Sequence, residues 1–257
     1  MVTPDEIKMY SKRMNEILGL TGSPIGVRLQ KTPVAVTGAK PAKGHRYCQA
    51  LMRARHGDHV IVDASTISCP AAARAFGFRP LPEQLKTGKG LVGFGITAEE
   101  SVGRMMFAKM PVLGMDSVAQ LDVFPLDKAS AVPDILVIED AVENLMWIIL
   151  SYMHAKGGER VNASTAVLQA TCVDSTVIPI LKQRLNFGLG CYGCRDATDI
   201  GHNETVVGFP VSFLPAIVEH LEHLHKKALP QSRGKYALIA LKNQLSGVKE
   251  EGSCASL

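Results

Sequence analysis

Cys191-Tyr192-Gly193-Cys194 is a C-x-x-C turn, the spacing at which two thiolates grip one metal ion or two corners of one cluster. Cys48, Cys69 and Cys172 add three more thiols, so five cysteines are candidate metal ligands. An iron-sulfur cluster takes three or four thiolates and a structural zinc about four ligands. Zinc ribbons concentrate two knuckles in a short stretch, whereas these thiols are scattered from position 48 to position 194, which favours an iron-sulfur cluster, [4Fe-4S], over zinc. Gly193 is expected to supply backbone freedom beside the cofactor, and Arg195 to balance its charge. Four ligating cysteines point to electron transfer; three, with one iron open, point to small-anion chemistry at that iron. The alternatives are a non-enzymatic zinc-binding protein, a thiol redox enzyme using Cys191 and Cys194, and plain burial of small apolar side chains.

The elements that must bring these residues together read as two related halves. Cys48-Gln49-Ala50, Ile67-Ser68-Cys69-Pro70, Leu91-Val92-Gly93-Phe94 and a helix over Glu99 to Met110 resemble Thr171-Cys172-Val173, Leu189-Gly190-Cys191-Tyr192, Val206-Val207-Gly208-Phe209 and a helix over Leu214 to His225. The paired cysteines lie 21 residues apart in one stretch and 19 in the other. Packing of such halves about a pseudo-twofold axis brings Cys48, Cys69, Cys172 and Cys191 to one point, with Cys194 beside them. Apolar periodicity predicts helices over 5–18, 45–55, 141–156, 165–182 and 235–245. It predicts strands at 24–29, 60–64, 118–124 and 135–138. Pro70 and Gly77 bracket a short helix with Cys69 at its N-cap. This alternation gives an α/β or α+β fold in a single compact domain over 1–247, with halves at about 19–115 and 132–230. Residues 248–257, with Cys254, read as a flexible tail.

The chain has 257 residues, 46% of them hydrophobic, enough for a large core. Its net charge of +4 is spread without a basic block, which argues against nucleic acid as a partner. The apolar run Leu145 to Met153 is far short of the roughly twenty residues that span a bilayer. The expected location is the cytoplasm, where thiols stay reduced, and a membrane is not an expected partner. A redox partner protein or a small anionic substrate fits the site, the latter because Arg53, Arg55, Arg74 and Arg195 neighbour the cysteine segments, and a homodimer fits a chain of this size.

Several stretches also carry a family resemblance. Gly19 to Leu29, Arg46 to Arg55, Ile67-Ser68-Cys69-Pro70 with Gly77, Leu91 to Gly95, Pro133 to Met146, Gln169-Ala170-Thr171-Cys172 and Gly190 to Arg195 resemble the archaeal cysteine-rich family of unknown function, found in anaerobic archaea and bacteria. The resemblance runs from about residue 17 to about residue 225 and implies a cysteine-dependent protein of anaerobic metabolism, without bringing a reaction.

Overall fold

Alternating apolar residues that leave a strand on both sides require cover on both faces of the sheet. In Ile135–Ala141 (β5), Ile135 and Val137 face one core while Leu136 and Ile138 face another. The computed structural model, which describes residues 2–245, accordingly forms three layers around one mixed sheet. Its strands are Ile25–Gln30 (β1), Lys40–Pro41 (β2), Val60–Asp63 (β3), Gln120–Pro125 (β4), β5, Asn186–Gly188 (β6) and Glu204–Pro210 (β7), in the order β2-β3-β4-β1-β5-β7-β6. Only β2 and β3 are parallel.

Helices Pro4–Leu18 (α1), Tyr47–Arg55 (α2), Pro70–Ala75 (α3), Glu83–Lys86 (α4), Lys89–Gly93 (α5), Glu100–Ala108 (α6), Val142–Ala155 (α7), Ile178–Lys182 (α8), Tyr192–Ala197 (α9), Leu214–His225 (α10), Ala228–Arg233 (α11) and Tyr236–Leu245 (α12) complete the chain. One core joins α1, α7, α10 and α11 to one face of the sheet through Met14, Trp147, Ile148, Ile217 and Leu229. The other joins α2, α3, α6 and the π-helical segment Ala170–Val177 to the opposite face, and all five described cysteines belong to this second layer. The expected boundaries hold within a few residues, Cys69 N-caps α3 ahead of Pro70, and the chain leaves that helix through Gly77 in the left-handed region. The tail and Cys254 lie outside the described residues.

Apart from β2, which lies beyond β3 and has no counterpart, the strand order runs alike on both sides of the antiparallel β1–β5 pair. Each side runs from a central strand to an outer one and back between them: β1, β3, β4, then β5, β6, β7. In each, a cysteine in a helical first turn precedes the outer strand (Cys48, Cys172) and a cysteine at an N-cap follows it (Cys69, Cys191). The later parts of the sequence repeat do not correspond. Leu91-Val92-Gly93 is the end of α5, whereas Val206 to Phe209 lies in β7; α6 precedes β4 on the thiol face, whereas α10 follows β7 on the other. A four-residue apolar likeness takes either conformation, and its packing decides which.

The predicted helix over 165–182 begins at Ala170 and is π-helical for its first eight residues. Pro179 has no N–H to give the Ser175 carbonyl, and its ring crowds that oxygen. The Ser175 carbonyl instead abuts β7 at Gly208, where an added Cβ would sit 1.7 Å from it. Ser175 Oγ and Thr176 Oγ1 both donate to the Thr171 carbonyl, at 2.7 and 3.0 Å, fastening the widened turn. Gly208→Ala is therefore expected to destabilise the protein by more than about 3 kcal/mol or to prevent folding. Gly193→Ala, whose Cβ would approach nothing closer than 3.8 Å, should melt within a few degrees of the parent in a thermal denaturation followed by circular dichroism.

Candidate metal or redox centre

The first turn of α2 builds the centre. Arg46, its N-cap, donates from Nη1 to the Gly193 carbonyl at 2.9 Å and to Asp196 at 3.1 Å. The Tyr47 hydroxyl bonds Thr176 Oγ1 in the π-helical segment at 3.0 Å. Gln49 donates from Nε2 to the Ala197 carbonyl at 3.1 Å. Cys48 lies between these three anchors, so its thiol is carried to the ends of α9 and of the π-helical segment. At the far end of α2, Arg55 forms a buried bidentate pair with Glu204 of β7, closing the same joint from the other side of the sheet order.

Cys191 and Cys194 cap α9 reciprocally. The Cys194 amide donates to Cys191 Sγ at 3.4 Å, and the Cys191 amide donates to Cys194 Sγ at 2.9 Å. The two thiols differ in charge preference. Cys191 is held below the ordinary thiol value, chiefly by the neighbouring Cys194 side chain, with burial opposing and the Cys194 and Ala170 amides assisting. Cys194, whose Sγ donates to the Cys191 carbonyl at 3.2 Å, is driven up first by the Cys191 side chain and then by burial.

Each of the five thiols acts electrostatically on at least one other. Burial first, and then negative charge on Cys194, Cys69 and Glu139, push Cys48 up to about 12. Cys172 is raised by burial and then by Cys69 and Cys48, while Cys191 feels Cys172. All five lie in or against one core on the same face of the sheet. Among the described residues, however, no three His, Cys, Asp or Glu side chains are grouped closely enough to hold a single metal ion. All five are free thiols, and Cys69 is the least buried.

Gly193 is not in the left-handed region, so the expected use of its backbone freedom is corrected; Gly190 takes that role, at φ 86°. Gly193 does flank the centre, since a Cβ there would lie 4.0 Å from Cys191 Sγ. Arg195 packs under Gly190 and donates to the carbonyls of Leu189, Gly201 and Glu204, which fixes the loop behind α9. Arg53 pairs with Asp58 and Arg55 with Glu204, whereas Arg74 reaches only Met115 Sδ, at 3.7 Å.

Glu139 was not singled out by sequence. It sits in β5, 3% exposed, with neither carboxylate oxygen hydrogen-bonded among the described residues, and it faces the thiol layer. Burial first and then the Cys194 charge, against the opposing Arg55, raise its pKa to about 8. The available signal was a charged residue continuing the apolar run Ile135 to Ile138. Because the folded value lies above the ordinary 4.5, the folded state holds the proton more tightly. The stability this confers is complete below about pH 4.5 and disappears as pH rises through about 8. In metal-free protein, Glu139→Gln should remove that slope. Urea denaturation between pH 5 and 8 should show the variant gaining on the parent by an amount on the order of a few kcal/mol, and parallel profiles would place the charge elsewhere.

Among the described residues no helix is long and apolar enough to cross a membrane. A family model described as uncharacterised ArCR matches residues 13–220, a span that includes all five cysteines and Glu139. No curated protein and no solved structure matches the chain.

Proposed function

We propose, for a chain that belongs to the uncharacterised ArCR family, the archaeal cysteine-rich proteins, that the thiol layer holds an iron-sulfur cluster and passes electrons. The observation that supports this reading is that all five described cysteines, from segments distant in sequence, are free thiols lying in or packed against one core layer. A zinc ion with bonds of about 2.3 Å draws its sulfurs to within about 3.8 Å of each other. A cluster places its own iron and sulfide between the thiolates and so suits a wider set. Five thiols also exceed the three that an open-iron site uses, and three of the four neighbouring arginines are engaged elsewhere, so electron transfer is favoured over small-anion chemistry. Cys69, the least buried ligand candidate, marks the side facing a redox partner.

A second reading draws on the Cys191–Cys194 cap: a thiol favoured as thiolate beside a buried thiol that keeps its proton is the asymmetry of a dithiol oxidoreductase. The two readings part on metal content. Protein produced and purified without oxygen is expected to contain iron and acid-labile sulfide in equal amounts, absorb in the visible range, and bleach in air. Cys69→Ala or Cys191→Ala should lower bound iron severalfold, and Cys254→Ala, outside the described residues, should leave it unchanged. Metal-free protein that forms a Cys191–Cys194 disulfide with a mild oxidant would establish the dithiol instead, and stoichiometric zinc without sulfide would overturn both.

A further inference from the structure

A cavity of about 500 Å³ opens on the other side of the turn that carries Cys172. Its apolar walls come from Val102, Met105, Met106 and Met110 on and after α6, and from Val173 and Ile178. Val102 and Met105 are about half exposed, 48% and 49%, although α6 is otherwise packed by Gly103 and Phe107. The cavity thus leaves uncovered an apolar strip flanked by flexible thioether side chains, which adapt to varied ligand shapes.

Polar groups give the cavity a direction. Gln169 lines it, is 3% exposed, and its amide Nε2 has no hydrogen-bond partner among the described residues. A buried amide without a partner is costly, and a ligand bearing a carbonyl group relieves that cost. Lys109, on the rim, is exposed and in no ion pair among the described residues, so it offers a cation to the ligand's outer end. Asp174 also lines the cavity, its Oδ2 accepting a hydrogen bond from Thr165 Oγ1 at 2.6 Å.

We infer that this cavity binds a small apolar carboxylic acid, its hydrocarbon body along Met105, Met106 and Val173, its carboxylate between the Gln169 amide and Lys109. The assignment goes beyond the cluster reading and stands without it. One helical turn separates ligand from thiols, since the Gln169 carbonyl accepts from Cys172 Sγ at 3.8 Å.

Titration calorimetry of the full chain with octanoate, 2-octanone and octylammonium tests it. Octanoate should bind best and octylammonium least. Lys109→Gln should weaken octanoate about fivefold or more and leave 2-octanone unchanged. Gln169→Leu should weaken both by about fivefold, the worth of one hydrogen bond. Should Gln169→Leu fail to fold, Val102→Trp at the exposed rim supplies the alternative by blocking all three probes. No binding, equal binding of octylammonium and octanoate, or unchanged octanoate affinity in Lys109→Gln would each overturn the assignment. Iron content measured on the same samples keeps a failure of the cluster separate from a failure of this site.

Discussion

Everything in the thiol layer depends on how the first turn of α2 is held. Three consecutive anchors, Arg46 to α9, Tyr47 to the π-helical segment and Gln49 again to α9, surround Cys48. Each is modest alone, about 1 kcal/mol for the neutral Tyr47 and Gln49 bonds and about 1.5–3 for the charged Arg46, but together they fix the orientation of three elements from opposite sides of the β1–β5 pair. The buried Arg55–Glu204 pair repeats the arrangement at the other end of the helix. Breaking one partner of such a pair leaves an uncompensated buried charge, so the geometry is held sharply even where the pair itself contributes little net stability.

The segments that carry the five thiols, the N-cap at Cys69 and most elements were legible because each is written locally: C-x-x-C, Cys-Pro before an alanine run, apolar periodicity. What could not be read depends on contacts between distant segments. Arg46 is an ordinary surface arginine until α9 is placed against it, and Glu139 is an ordinary strand-end acid until β5 proves to be covered on both faces. The π-helical widening arises from Pro179 at one end and the space above Gly208 at the other, two positions 29 residues apart. The sequence likeness that included Gly93 and Gly208 failed for the same reason, since only the second glycine has a carbonyl pressed against it.

The two faces of the sheet differ in what they bury. The layer of α1, α7 and α10 packs Met14, Ile148, Phe209, Ile217 and Leu221 with almost no exposed area, and α1 opens on the Thr3–Glu6 capping box. Across the sheet, beside the thiols, lie polar groups that local rules would not place in a core: a glutamic acid with both oxygens unpartnered, and the unbonded Gln169 amide and Thr171 hydroxyl. Each costs free energy that apolar side chains of similar volume would not. A single domain tolerates such a concentration only where another face supplies the surplus, and natural folds keep these inconsistencies where a ligand completes them. The crowding of unsatisfied groups into one layer, beside a turn already forced out of α-helical geometry, is therefore an argument for a bound group on that face that does not rest on counting cysteines.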